Sequence, residues 1–350
     1  CGEGRCWHLA KNARAEQCLE GIPKGIVGSR KGISDFLAWQ RDQFSVGPGD
    51  RIPQLTGFSF DVVLRDIFLA LVSGATLCLP PARLNLASPL RWLAQKRVTR
   101  IHVVPSLGQS WLIHEGDLPE LKTTFFAGEP LTGRLARRWR ERAASTRVIN
   151  LYGPAETTLA RCFCDVTDLE QEGILPIGTP LPGTQIHLVD ANDDLVPLGE
   201  TGEIAIRFPG ASHGYLDDFS SFQGSLYRTG DLGRVRREDG LIDILGRIDD
   251  QVKIRGVRIQ PGEIAAVLSK HEKIHAAHVQ LDSDRTQDLT GYLVGAEIDS
   301  GEIRNFLEEF LPQVMIPARF VLLDEFPLTP NGKIDRRRLP AAPKGTGENK

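Results

Sequence analysis

Four short segments of this chain carry side chains whose type and setting could do chemistry. They are Gly21-Ile22-Pro23-Lys24-Gly25, Tyr152-Gly153-Pro154-Ala155-Glu156-Thr157-Thr158, Thr229-Gly230-Asp231 and Asn331-Gly332-Lys333. A Gly/Pro turn with one lysine can cradle a phosphate through backbone N–H groups and an ammonium. On the second segment Tyr152 can cover an aromatic base, Glu156 can hold a divalent cation, and Thr157 can donate to a phosphate. Three of them have a plainer reading. GIPKG also reads as an ordinary loop, Glu156 as a solvated carboxylate at the start of a helix, and Lys333 as a surface lysine on an Asn-Gly turn.

The elements that must position these residues follow from periodicity. Residues 32–46 show apolar positions at helical spacing with Ser34 as candidate N-cap. Residues 57–61, GFSFD, lead into an apolar helix closed near Gly74. Residues 75–79 read as a buried strand, 90–96 as a helix and 100–104 as a strand. Then follow a strand over 123–127, a helix over 133–144 and a strand over 147–151. Strands alternating with helices predict βα units in a mainly parallel sheet, with ligands at the carboxyl ends of its strands. The Tyr152–Thr158 loop lies at such an end.

From Gly178 to about 245 the texture is β-rich, with short alternating strands at 184–189 and 202–208 between Gly, Pro, Asn and Asp. The segment from Tyr227 crosses a Gly-punctuated hairpin to Gly246-Arg247-Ile248-Asp249-Asp250, read as the junction between two domains. Beyond it, helices at 261–270 and 301–311 alternate with strands at 275–281, 289–295 and 318–324. The fold class expected is α/β: a partial large domain over 21–247, then a small α+β domain over 248–340. Residues 1–20 are expected to be an unrelated leader, and 341–350 a frayed tail.

Composition narrows the partners. Of 350 residues, 41% are apolar and 25% charged, and the net charge is −3. That balance gives no general attraction to nucleic acid or to an anionic membrane. No apolar run is long enough to span a bilayer. Six cysteines without disulfide or paired-zinc spacing suit a reducing compartment, so the cytoplasm is expected.

Several motifs occur together and in order: NLYGPAETT, GEIAIRFPGASHGYL, YRTGDLG, GRIDDQVKIRGVRIQPGEI, LPQVMIPARF and NGKIDR. In that order they resemble the adenylate-forming enzymes, and most of all the amino-acid adenylation domains of nonribosomal peptide synthetases. FSFDVVLRD is similar to that family's substrate-pocket helix, and GIPKG to the last half of its phosphate loop. The resemblance covers roughly residues 21–340.

It implies ATP-dependent activation of an amino acid as an aminoacyl-adenylate. The acyl group then passes to the phosphopantetheine thiol of a peptidyl carrier protein, and neighbouring synthetase modules are further partners. ATP and Mg²⁺ are the cofactors implied. By resemblance, Lys333 bridges carboxylate and α-phosphate, Asp231 accepts the ribose hydroxyls, and Arg247 contacts ribose or phosphate. Tyr152 and Gly128 pack the adenine, Glu156 carries magnesium, and Lys24 meets the phosphates. Asp249 is the hinge of a mobile small domain, and Asp61 holds the substrate ammonium. Val62, Arg65, His102, Phe125, Ala127, Leu151, Leu159 and Ala160 line the pocket. Arg65 and His102 favour a polar or acidic substrate side chain.

The departures are specific. The family's N-terminal subdomain and the Ser/Thr/Gly half of its phosphate loop have no counterpart here, so the chain is expected to be N-terminally truncated. Loss of such a subdomain predicts exposed apolar surface on the sheet that it would cover. Two other readings stand beside adenylation of an amino acid: an acyl-CoA or aryl-acid ligase, and a non-catalytic remnant serving as an interaction module. Asp61 and GRIDDQVKIRG count against the ligase, whereas the incomplete phosphate loop supports the remnant.

Overall fold

The structure is a computed structural model that describes residues 26–57, 61–85, 88–215, 226–248, 252–254, 257–259, 261–281, 288–296, 299–327, 334 and 336–341. Lys24, Asp249 and Lys333 lie outside the described residues. The chain divides into two compact units, one holding the described residues 26–248 and the other the described residues 252–341.

The first unit starts with helix α1 (Arg30–Gln43). Its N-cap is Ser29, not the expected Ser34: Ser29 is extended, and its side chain accepts from Gly32 N–H at 3.3 Å, while Ser34 lies inside the helix. Strand β1 (Arg51–Pro53) precedes α2 (Val63–Ser73), which ends on Gly74 at φ 69° with its N–H on Ala70. Strand β2 (Thr76–Cys78) pairs in parallel with β1 in a two-stranded sheet.

Helix α3 (Leu90–Gln95), β3 (Arg100–Val103), α4 (Pro105–Trp111), β4 (Thr123–Ala127), α5 (Gly133–Arg142) and β5 (Arg147–Tyr152) follow as βα units. Helix α4 was not foreseen. It is short and contains Gly108, but Pro105 sits in its first turn, where a missing N–H costs nothing. Strands β6 (Cys162–Asp165) and β7 (Thr179–Pro180) complete a sheet of order β3-β4-β5-β6-β7. Its first three strands are parallel; β6 and β7 run antiparallel.

Period-2 alternation splits this sheet's side chains between two cores. Phe126 and Val148 join Trp111, Trp139 and Leu93 on the face of α3, α4 and α5. Their chain neighbours Phe125 and Ile149 join Phe36, Leu37, Leu69 and Ala70 on the face of α1 and α2. A second sheet is wholly antiparallel, in the order β11-β10-β9-β8, from β8 (Gln185–Val189), β9 (Thr201–Arg207), β10 (Tyr227–Val235) and β11 (Ile242–Arg247). Ile204, Ile206 and Ile242 of this sheet form one apolar cluster with Tyr152 and Cys162.

In the second unit, β12 (Val252–Ile254) and β13 (Val257–Ile259) make an antiparallel pair. Helix α6 (Pro261–Leu268) and α7 (Ser300–Glu308) pack on a sheet of β14 (Ile274–Leu281), β15 (Leu289–Gly295) and β16 (Arg319–Leu323). Strands β14 and β15 are antiparallel, β15 and β16 parallel. Asp299 caps α7 by accepting from the N–H groups of Gly301 and Glu302. Among the described residues no helix is long and apolar enough to cross a membrane.

Candidate functional site

Where β5 ends, three predicted side chains meet. Asp231 on β10 faces Arg247 on β11 in ladder register. Arg247 Nη1 donates to Asp231 Oδ1 at 2.6 Å and to the Thr229 carbonyl at 3.1 Å. Tyr152, the last residue of β5, donates its hydroxyl to Asp231 Oδ2 at 2.6 Å. Burial, together with the Asp231 carboxylate, pushes the Tyr152 hydroxyl well above its ordinary pKa, so it stays a donor.

Asp231 owes its direction to a bulge. Arg228 pairs with Ala205 and Leu232 with Glu203, so three residues of β10 stand against one of β9. Thr229 secures the bulge, donating to the Ile204 carbonyl at 2.8 Å and accepting from Asp231 N–H at 3.0 Å. Glu203 accepts Gly230 N–H at 2.8 Å, and Gly230 has φ 74°. A carboxylate held this way keeps lone pairs for two further donors, such as a vicinal diol.

The loop after β5 folds back on itself. Gly153 is required there, because a Cβ would lie 2.5 Å from the Leu159 carbonyl oxygen. Thr158 and Leu159 both take left-handed backbone, at φ 60° and 64°, a strain that surrounding contacts must over-determine. Arg161 does this. It is 1% exposed, donates from Nε to the Thr157 carbonyl at 2.8 Å, and reaches the carbonyls of Thr158 and Gly32 through Nη2. Its guanidinium lies 3.6 Å over the Phe208 ring. Burial lowers its pKa to about 9.

Glu156, in the 3-10 turn of this loop, is 1% exposed, which overturns its reading as a solvated carboxylate. The Tyr215 hydroxyl donates to its Oε1 at 3.4 Å, and Ser212 binds its carbonyl through N–H and hydroxyl. Thr157 is buried with its hydroxyl on the Pro154 carbonyl at 2.9 Å. At the end of β4, Gly128 takes φ 91°. The adjacent Glu129 carboxylate accepts both the N–H and hydroxyl of Ser106, at 2.8 and 2.9 Å, tying this turn to the start of α4.

Beneath α2 lies a second polar group. Asp66 accepts the Thr56 hydroxyl at 2.7 Å through Oδ2, and its Oδ1 lies 3.0 Å from His102 Nδ1. The His102 Nε2 is 2.6 Å from Gln40 Nε2, and its ring stacks on Phe125 with centroids 4.7 Å apart. These partners select the neutral tautomer with the proton on Nδ1. Burial and the nearby Arg65 cation lower the His102 pKa to about 4. Arg65 is buried beside Asp66; burial lowers its pKa. Burial raises the pKa of half-buried Asp61; Arg65 works against that and Glu156 adds to it.

The structure brings Val62, Phe125, Ala127, Leu151, Leu159 and Ala160 into one apolar cluster with α1 and α2. Arg65 and His102 sit at its polar margin, joined by Asp66. Gln40, Asp66, Glu203 and Arg161 were not singled out from sequence. Asp66 had a signal, standing beside Arg65 on the apolar stripe of α2; Arg161 had none.

A family model described as AMP-binding enzyme matches residues 20–216. Over 338 residues the chain is 36% identical to part of tyrocidine synthase 3 of Brevibacillus parabrevis, a match spanning 91% of this chain and 5% of that protein. The fold is similar to the Vibrio cholerae adenylation domain AlmE solved with glycyl-adenosine-5'-phosphate, with TM-score 0.79 and 25% identity, covering 90% of this chain and 63% of that one. It is also similar to holo-PA1221, a nonribosomal peptide synthetase protein containing adenylation and PCP domains. There the TM-score is 0.77 and the identity 25%, over 91% of this chain and 57% of that one. The chain thus spans about a twentieth of tyrocidine synthase 3 and about three-fifths of these two solved chains.

Proposed function

This chain belongs to the AMP-binding enzyme family, and we propose that it activates an amino acid with ATP and passes it to a carrier protein. In the first step a substrate carboxylate oxygen attacks the α-phosphorus; the bond to the bridging oxygen breaks, and pyrophosphate leaves. In the second, a phosphopantetheine sulfur attacks the acyl carbonyl, AMP leaves, and the thiol proton passes to solvent. The observation that carries this reading is the Tyr152–Asp231–Arg247 constellation at the carboxyl end of β5.

Both reactants of the first step are anionic, so the protein must supply positive charge and alignment. Asp231 accepts the two ribose hydroxyls, with Arg247 fixing its orientation and meeting ribose or phosphate. Tyr152 and the Gly128 turn pack the adenine. Lys333 bridges the attacking carboxylate and the α-phosphate, and Lys24 meets the outer phosphates. A phosphate contact from Thr157 requires its hydroxyl to leave the Pro154 carbonyl.

Magnesium fits this donor set. Glu156 is a single buried carboxylate, and among the described residues no group of three or more His, Cys, Asp or Glu side chains could cage a metal. A magnesium ion typically takes one or two carboxylates together with nucleotide phosphates. Glu156 would hold it, and when bound it offsets charge on the departing pyrophosphate.

Asp61 takes the substrate ammonium, and Val62, Arg65, His102, Phe125, Ala127, Leu151, Leu159 and Ala160 shape the pocket. Asp249 is the hinge on which the small domain expected over 248–340 withdraws Lys333 between the two steps. The partners are a peptidyl carrier protein and neighbouring synthetase modules, in the cytoplasm. The free thiols of Cys78, Cys162 and Cys164 suit that compartment.

Amino-acid-dependent ATP–pyrophosphate exchange with a mixed amino-acid pool and Mg²⁺ tests the reading. Exchange is expected, with a fall of at least about a hundredfold in Lys333→Ala. Exchange dependent on an aryl acid would move the chain to the acyl-CoA or aryl-acid ligases. A folded chain with no exchange would leave the interaction module.

A further inference from the structure

Between Tyr152 and Arg161 the chain leaves the sheet and returns to it. Arg161 N–H donates to the Tyr152 carbonyl at 2.7 Å, closing residues 153–160 into a loop that carries Glu156. Any residue but proline could make that bond. The Arg161 side chain does more, turning back beneath the loop it closes. Its Nε donates to the Thr157 carbonyl at 2.8 Å, and its Nη2 reaches the carbonyls of Thr158 and, on the first turn of α1, Gly32. Thr157 and Thr158 follow Glu156 directly in the chain.

The other support of Glu156 rests on the same guanidinium, which lies 3.6 Å over the Phe208 ring. Phe208 opens a turn, its carbonyl taking Ala211 N–H at 3.1 Å. The next residue, Ser212, donates its N–H and hydroxyl to the Glu156 carbonyl at 3.0 and 2.7 Å, and Tyr215 donates to Glu156 Oε1 at 3.4 Å. The segments meet without slack: a Cβ on Gly32 would strike the Gly210 carbonyl oxygen and lie 2.9 Å from Thr158 Cβ. Arg161 is 1% exposed, and among the described residues no carboxylate forms an ion pair with it. Asp35, the acid whose field reaches it, is bound to Lys31 at 2.7 Å. Filling this space would need no charge; spanning carbonyls of two segments needs the planar fork.

We infer that Arg161 is the positioning residue of Glu156, holding that carboxylate where metal-bound nucleotide meets it. This rests on the reading above in which Glu156 holds magnesium. Arg161 acts through backbone: it pins the carbonyls that follow Glu156 and anchors the turn that brings Ser212 and Tyr215 to it. Thr158 and Leu159 make that support necessary. Both stand at positive φ, and without the guanidinium the pair can relax toward ordinary backbone and carry Glu156 with it. Loss of an outer partner of a metal ligand typically costs about tenfold to a hundredfold in metal affinity.

Equilibrium dialysis of ATP against the full chain, with and without Mg²⁺, measures the gain in ATP affinity that the metal brings. The native chain is expected to show a gain that Glu156→Gln abolishes. Arg161→Met should cut the gain about tenfold while leaving metal-free ATP binding within about twofold. In the Glu156→Gln background, Arg161→Met should then change ATP binding by no more than about twofold, because the carboxylate it positions is gone. Should the methionine variant fail to fold by circular dichroism, Arg161→Lys keeps the charge without the fork and should lose about threefold to tenfold of the gain. A folded Arg161 variant that keeps the full gain overturns the inference. So does an equal loss with and without Mg²⁺, which would make Arg161 a structural residue only. A native chain that binds ATP no better with Mg²⁺ refutes the magnesium role of Glu156 and this inference with it. A native chain that binds no ATP refutes the adenylation reading beneath both.

Discussion

At Asp231 both carboxylate oxygens are met by side chains of neighbouring strands, whereas beneath α2 the buried Asp66 carboxylate stands between the Arg65 guanidinium and the His102 imidazole. The Asp231 arrangement comes from a ladder. Two strands joined by a short connection place Asp231 opposite Arg247, and the parallel strand β5 adds Tyr152. The α2 arrangement draws on Gln40, Thr56, Asp61, Arg65, Asp66 and His102, from separate stretches of chain.

Replacing Asp231 tests the strand-built side most severely. Asp231→Asn keeps the shape but leaves Arg247 and Tyr152 facing a neutral amide, and exchange should fall by several hundredfold or more. A variant that melts earlier yet exchanges normally would reduce Asp231 to a structural residue. Arg161 tests what holds the loop between the two sides. Arg161→Met removes three buried charge-assisted contacts and should cost about 2–4 kcal/mol in urea unfolding, with Arg161→Lys recovering part of it. A loss below about 0.5 kcal/mol would show that the strained pair Thr158–Leu159 is held by other means.

The helix-built side has its own pH signature. Burial and Arg65 hold the His102 pKa near 4, against about 6.5 in an unfolded chain. The unfolded chain therefore takes up this proton first as pH falls. The contribution is full above about pH 6.5 and drains toward pH 4. Between pH 7.5 and 5 the native chain should lose about 2 kcal/mol more than His102→Gln. Equal losses in urea titrations at the two pH values would remove His102 from the account.

The smallest effect concerns the opposite face of α2, where Phe68, Leu71 and Val72 are exposed, Leu71 by 64%. Leu71→Lys should change stability by no more than about 0.5 kcal/mol. A loss above about 1 kcal/mol would mean that this face is covered in solution. Exposed apolar surface was expected on the sheet, whereas this stripe lies on helix α2.

Much of the fold was legible because its elements are locally encoded. Strand β4 occupies Thr123–Ala127 and β15 occupies Leu289–Gly295, as their alternation and flanking turns predict. Helix ends shifted where cap geometry decided: Ser29 outcompeted Ser34 because only Ser29 is extended and able to fold its hydroxyl onto the first turn. Strand β1 and helix α4 escaped because three residues or seven give too few periods to read. In the candidate site, motif order marked Asp231, Arg247, Tyr152 and Glu156. Arg161 could not be marked, since its value lies in carbonyls of segments far along the chain.

The order of its motifs determines this chain's place among AMP-binding enzymes, and its alternating periodicity determines the α/β architecture. Both are carried by neighbouring residues and by spacing. Only the tertiary structure decided that Glu156 is buried, that Asp231 is paired on both oxygens, and that Arg65 and Asp66 form a buried ion pair. Burial and hydrogen-bond satisfaction depend on groups brought together from distant stretches, and no local pattern records which of them arrive.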